Sequence, residues 1–353
     1  MDQTASERLL TLDAMRGVAA IVVVIAHVSH GTALSGYLAV DFFFLLSGFV
    51  ISRAFEPKLR LGMGFGEFVM QRIIRLYPLF ALGMLIGLAA RFSVAMFDPM
   101  TAAQIALSFA LNIFMLPSPA TPLYSFPINP PAWSLFFEFA VNLLFAATIT
   151  RLKRRALVVI IAASAALLVW CAHHYGTLNL GSFLSTSYGG AGRTVFAFTS
   201  GVLIASLHSQ ASRRSSVSPF LLLALAGCLF VDLSGKFRMG FDLLFAMVLA
   251  PCLLWAGASV QPPRQFAKFS QALGDISYPL YAIHFPLMWL FEAVADRFGW
   301  HSLASNVAFM ICAVTLSWMT TQYWDAPIRR RVTRWVRSRG ESSPQTVSST
   351  VSV

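Results

Sequence analysis

Along the 353 residues, apolar stretches alternate with short polar segments. Each apolar stretch runs about 17–22 residues, the length a helix needs to cross the hydrocarbon layer of a membrane. The pattern predicts helices over 12–31, 37–53, 72–92, 132–150, 156–173, 189–207, 218–233, 241–257, 276–295 and 304–324. Strands of a closed barrel would be near ten residues long with strict alternation, and these stretches are unbroken. The predicted fold is an all-α integral membrane protein of about ten transmembrane helices.

The polar segments orient the bundle. With the N-terminus inside, the cytoplasmic loops read RAFEPKLR, RLKRR, SQASRRSS and PPRQFAKF, and RRRVTRWVRSR follows the last helix. Of the 26 Lys and Arg, only Arg91, Arg193, Lys236, Arg238 and Arg297 fall toward the outside. Positive residues in short loops mark the cytoplasmic side, so both termini are expected there.

One segment interrupts the alternation. Residues 101–116 (TAAQIALSFALNIFML) are apolar enough to span, yet a full crossing would put RLKRR outside. Proline-rich PSPATPLYSFPINPP follows. We read 101–131 as a re-entrant or interfacial helix with an irregular return, which is tolerated at membrane depth only where protein or a water-filled cavity surrounds it. Residues 1–339 thus form one transmembrane domain, and the polar segment 340–353 (GESSPQTVSSTVSV) is expected to be a disordered tail.

Composition agrees with this pattern and changes one part of it. Hydrophobic residues make up 57% of the chain and charged residues 12%, about half the charge of a soluble protein. The net charge of +11 reflects loops facing the cytoplasmic membrane surface and its lipids, not a nucleic-acid partner. The N-terminal MDQTASERLLTLDAMRG carries acidic residues and no cleavage site, so the first apolar stretch reads as a retained helix rather than a signal peptide. Cys171, Cys228, Cys252 and Cys312 lie in apolar segments at unrelated spacings and are expected to be small core residues, neither disulfides nor metal ligands.

Ionisable groups inside spanning helices cost free energy and are functional candidates by default. In LDAMRGVAAIVVVIAHVSH, Arg16 and His27 share one face, about 16 Å apart along the axis. Arg16 falls at the cytoplasmic rim and His27 in the outer half. Taken alone, the pair reads as an arginine snorkelling to headgroups and a histidine bonded to a neighbouring carbonyl. Asp41 opens the second helix at the depth of His27, and a carboxylate beside an imidazole would make it a better general base; a water-facing helix-start residue is the other reading. Ser47 and Gly48 fit close helix packing. Arg72 and Arg75, three apart, point the same way at the cytoplasmic edge and suit a polyanionic phosphate, or anchor the helix.

In PPAWSLFFEF, Ser134 and Glu138 share a face, and a buried Glu138 needs a partner, for which Arg193 is available. The pair would be a structural clamp or part of an acceptor site. In ISYPLYAIHFPLMW, Ser277, Tyr281, His284 and Met288 form one stripe, with Pro279 and Pro286 bending the helix as in a cavity wall. No phosphate-binding glycine loop, HExxH, GxSxG or paired-cysteine motif is present.

These segments, in this order, resemble the acyltransferase-3 family of bacterial membrane O-acyltransferases, which modify lipopolysaccharide, exopolysaccharides and some antibiotics. The carriers are LDAMRGVAAIVVVIAHVSH, VDFFFLLSGFVISRAF, FVMQRIIRLYPLF, PAWSLFFEF, GDISYPLYAIHFPLM and WDAPIRR. Ala14 departs from a common glycine and Asp325 from a common glutamate, and neither removes a reactive group. The resemblance implies a ten-helix bundle in the inner membrane, an acyl-coenzyme A co-substrate, acetyl foremost, no permanently bound cofactor, and a hydroxyl acceptor on a glycan or lipid-linked glycan.

By motif, the resemblance makes His27 the catalytic residue and Asp41 its second-helix acid. Arg16, Arg72, Arg75, Tyr281 and His284 become donor-binding, and Trp133 with Ser134, Glu138 and Arg193 belongs to the acceptor site or its framework. That chemistry requires one passage connecting Arg72 and Arg75 to His27. A transporter or flippase for a glycan or small anion, using the same charges without covalent chemistry, is the alternative.

Overall fold

The computed structural model describes residues 8–29, 35–93, 99–208 and 212–341. Its helices are α1 (Leu10–Val28), α2 (Ala39–Arg60, entered through a 3₁₀ turn at Ser35–Leu38), α3 (Phe65–Ser93), α4 (Ala102–Asn112), α5 (Ala132–Thr148), α6 (Arg154–Tyr175), α7 (Ser187–Leu207), α8 (Ser218–Leu229), α9 (Gly235–Leu244), α10 (Ala250–Ser259), α11 (Arg264–Phe298), α12 (Leu303–Thr320) and α13 (Ala326–Glu341). A π-turn at Phe245–Leu249 joins α9 to α10, and another at Thr321–Asp325 joins α12 to α13. The strand pairing among the described residues is a two-residue parallel contact of Arg213–Arg214 with Val260–Gln261. The architecture is all-α.

Seven helical stretches are long and apolar enough to cross a membrane: Leu10–Val28, Ser35–Arg60, Phe65–Phe92, Arg154–Tyr175, Leu184–Leu207, Gly235–Ser259 and Leu303–Val336. The 17-residue α5 and 12-residue α8 are apolar but shorter. Large apolar side chains face outward all round the bundle, among them Leu85, Leu144, Val159, Leu223, Trp255, Ile311 and Trp318. In water such a surface would aggregate; in lipid it needs no cover. Cys252 and Cys312 lie on this exposed exterior and only Cys171 is buried, so the expectation of four core cysteines is corrected; all four are free thiols.

α1 and α2 are predominantly apolar and more than half buried within the bundle. The most extensive helix contacts are α2 with α7 and α1 with α11. Glycine sets the first approach. A Cβ on Gly48 would stand 2.0 Å from the Phe198 carbonyl, and one on Gly201 would stand 2.0 Å from the Leu45 carbonyl. The packing role read for Gly48 holds.

Several helices outrun their predicted bounds. α2 continues through RAFEPKLR to Arg60, α3 begins at Phe65, and α11 begins at Arg264. Apolar windows locate the hydrocarbon layer, whereas charged residues with good helix propensity carry the backbone hydrogen bonds on into water. The segment after RRR likewise continues as α13, so Gly340 and Glu341 end a helix. The rest of the expected tail, 342–353, lies outside the described residues.

The 101–131 segment enters the bundle. α4 has 11 residues, about 16 Å of rise, too short to cross. Past Met115, at φ 59°, the chain runs without regular structure until Phe126, Ile128 and Asn129 are buried. Pro286 has no N–H to bond the Ala282 carbonyl four residues back. The Asn129 side-chain amide donates to that carbonyl instead, at 2.8 Å. A carbonyl left free within the continuous α11 and the irregular loop satisfy each other.

Candidate functional site

Five helices converge on a cavity of about 200 Å³. α1 contributes Arg16, α2 Phe43 and Ser47, α3 Arg72 and Arg75, α5 Ser134 and Glu138, and α11 Ser277, Tyr278 and Tyr281. The sequence therefore anticipated seven of these wall residues, from segments far apart in the chain. Ser47 was read as packing and Tyr278 was not singled out.

Each polar wall residue has a physical reason for its place. The Arg16 Nε–H donates to Ser277 Oγ at 2.7 Å and its Nη2 to the Gly274 carbonyl at 2.8 Å, pinning α1 to α11. Asp13 lies one turn before Arg16, 3.5 Å from its guanidinium, and also pairs with Arg8. Arg16 is thus turned inward rather than snorkelling. Tyr278 donates to the Leu76 carbonyl at 2.6 Å and lies under the Arg75 guanidinium, 6.0 Å from ring centroid to carbon.

The arginine pair is incompletely neutralised. Arg72 lies 3.5 Å from Glu138, whose carboxylate also accepts from Ser47 at 2.8 Å. The Arg72 Nε–H is buried without a hydrogen-bond partner, and buried donors are ordinarily satisfied. Arg75 makes no hydrogen bond or ion pair with a described residue. The wall thus presents cationic donors with capacity for an anion.

At the other end, Tyr281 and Ser134 share a 2.6 Å hydrogen bond, and both hydroxyls lie within reach of the Pro131 carbonyl. Behind Tyr281 stands a pair of imidazoles. His284 Nδ1 lies 3.0 Å from the Leu280 carbonyl and 2.9 Å from the Tyr281 carbonyl. Both are acceptors, so Nδ1 carries the proton and Nε2 is left with a lone pair. That Nε2 lies 3.3 Å from His27 Nδ1, which is also 2.9 Å from the Val23 carbonyl. His27 Nδ1 therefore carries its proton too, and His27 Nε2 is the basic nitrogen, without a hydrogen-bond partner among the described residues.

Two pairings expected from sequence are corrected. Asp41 does not orient His27: its carboxylate holds Arg193 through bonds of 3.0 and 2.6 Å, and the two side chains are 2% and 1% exposed. Glu138 pairs with Arg72 and not with Arg193. Arg193 also donates to the Leu180 and Tyr37 carbonyls and lies over the Trp133 ring at 5.6 Å, so Trp133 belongs with this buried pair. Helix depth along the sequence placed Asp41 and His27 level with each other, and the rotation of α2 turned Asp41 toward α7.

The expected single passage is also modified. Neither His27 nor His284 lines the cavity, which ends at Tyr281 and Ser134. The Tyr281 ring, which lines the cavity, lies 5.8 Å from His284 between centroids. Sequence reasoning did not single out Asn129, although the proline run around it signalled buried irregular backbone. No cluster of His, Cys, Asp or Glu able to hold a metal ion occurs among the described residues.

Comparison with known proteins supplies the family. A protein from Rhizobium radiobacter, named "Protein 2 in picA locus", is 34% identical over 197 residues, covering 50% of this chain and 100% of its own length. No solved structure matches. The family described as "Acyltransferase domain" matches residues 9–322, a span that runs from before Arg16 to beyond His284. The chain belongs to this acyltransferase-3 family and is a multi-pass membrane acyltransferase.

Proposed function

We propose that the protein transfers an acyl group, acetyl foremost, from acyl-coenzyme A in the cytoplasm to a hydroxyl of a cell-surface or lipid-linked glycan. The observation that carries this reading is one cavity walled at one end by the unsatisfied Nε–H of Arg72 and the unpaired guanidinium of Arg75, and at the other by Tyr281, which stands next to two imidazoles. Ten crossings of a bacterial inner membrane with both termini cytoplasmic belong to the same reading. They put the arginines on the side where acyl-coenzyme A is made and His27 toward the side where the glycan lies.

In this reading Arg72 and Arg75 bind donor phosphates, which guanidinium forks suit, while Arg16 lines the donor's path. Rotation of the Tyr281 ring opens the cavity to the imidazoles. The acceptor hydroxyl gives its proton to His27 Nε2 as its oxygen attacks the thioester carbonyl carbon. The carbon–sulfur bond breaks, and the proton passes to the departing thiolate, leaving coenzyme A and an ester. His284 acts as a positioning residue, because its Nε2 lone pair holds the His27 proton on Nδ1. Tyr281 donates to the developing oxyanion.

The test is transfer by purified protein from radiolabelled acetyl-coenzyme A, read as label on the glycan and release of free thiol. His27→Ala, checked for folding by its melting profile, is expected to lose about 10²–10⁴-fold in turnover. Near-wild-type transfer by that variant would end the base assignment. A wild-type protein that moves a glycan while releasing no thiol would favour the transporter.

A further inference from the structure

A second concavity lies just outside the first, between α3 and α13. Its walls are Gln71, Ile74 and Arg75 from α3, and Arg329, Arg330, Thr333 and Arg334 from α13. Arg75 belongs to both hollows, and it is the guanidinium that makes no hydrogen bond or ion pair with a described residue.

The groove is built rather than incidental. The indole N–H of Trp324 donates to the Pro78 carbonyl at 2.9 Å, tying the entry of α13 to α3. The π-turn before α13 buries Asp325, which holds Arg329 at 2.8 Å. On α13, positions 329, 330, 333 and 334 are spaced i, i+1, i+4 and i+5 and fall on one face over about one and a half turns. Four guanidinium groups therefore line the groove with no carboxylate in its wall, and only that of Arg329 is matched by a nearby acid. Guanidinium clusters of this kind suit phosphate monoesters and diphosphates. Thr333 and Gln71 add neutral donors.

We propose that this groove binds the phosphorylated nucleotide end of the acyl-coenzyme A donor, with the 3′-phosphate among Arg330, Arg334 and Arg75 while the acyl arm enters the inner cavity past Arg75. The inference rests on the acyl-coenzyme A reading above and assigns α13, until now only a basic helix after the last crossing, to donor recognition. An anionic lipid headgroup offers the same phosphate chemistry from another source. Continuity with the inner cavity through Arg75 favours the donor.

The experiment compares acetyl-coenzyme A with its 3′-dephospho form, using full-length protein in nanodiscs of phosphatidylcholine with and without phosphatidylglycerol. For the wild type, removing the 3′-phosphate is expected to raise KM roughly tenfold or more, as charge-assisted hydrogen bonds are lost. In the Arg330→Ala/Arg334→Ala protein, KM for acetyl-coenzyme A rises to the dephospho level and the two donors become equivalent. Arg331→Ala, outside the groove on the same helix, keeps the wild-type discrimination.

Equal KM values for both donors in the wild type would overturn the proposal while leaving acyl transfer intact. So would a double-variant defect that follows phosphatidylglycerol content rather than the 3′-phosphate, which would assign the groove to lipid. No transfer from either donor by the wild type would instead overturn the underlying reading, and this inference with it.

Discussion

Two arginines inside the same bundle, the buried Arg193 and the largely covered Arg72, occupy opposite circumstances. Arg193 is spent on structure: Asp41 takes both a charge and two hydrogen bonds from it, and the Leu180 and Tyr37 carbonyls each take one more. Nearby, Asp242 accepts from Tyr37, Thr177 and the Leu178 N–H, forming a second closed network. Arg72 has one acid 3.5 Å away, shared with Ser47, and a buried Nε–H with nothing to bond. Intramembrane charge by itself therefore does not mark a site. What distinguishes the cavity is donor capacity left over after the protein has satisfied itself.

Removing one partner of the closed Asp41–Arg193 pair should cost the most. Arg193→Ala leaves the Asp41 carboxylate buried and uncompensated, and should destabilise the protein by about 3–5 kcal/mol, read as a lowered melting temperature in detergent. An unshifted melting profile would mean that Arg193 is not the structural member of the contrast. Next, Arg72→Gln should act on binding more than on folding, raising KM for acyl-coenzyme A roughly tenfold with a smaller change in turnover. A variant that loses turnover at unaltered KM would place Arg72 in the chemistry instead. The smallest effect belongs to Ser134→Ala, which removes that hydroxyl's neutral hydrogen bonds to Tyr281 and the Pro131 carbonyl and should cost about 1 kcal/mol of stability, since Tyr281 keeps the Pro131 carbonyl. A severe loss of activity there would show that the Ser134 hydroxyl itself meets substrate.

The site was legible to the extent that its residues violate the local solvent. Arg16, Arg72, Arg75, Glu138, Tyr281 and His284 are costly in an apolar helix, and they do gather: the first five line the cavity and His284 stands behind Tyr281. The re-entrant segment was legible for a related reason, because a run of prolines cannot form a lipid-exposed helix. Which acid meets which base was not legible. Asp41 and Glu138 were each assigned a partner of the right charge at the right depth, and each found a different one.

Depth is a one-dimensional quantity, fixed by helix rise and the length of each apolar run, and so the sequence alone determined an all-helical membrane chain, the positions of its buried charges along each helix, and its family resemblance. Partnership depends on how each helix is rotated about its axis and on which neighbour it meets. Those are settled by close contacts such as Gly48 against the Phe198 carbonyl and Asn129 against the carbonyl freed by Pro286. Such contacts join residues far apart in the chain, where periodicity carries no information. Only the folded bundle could turn Asp41 toward Arg193, bring His284 to His27, and lay a basic helix beside Arg75.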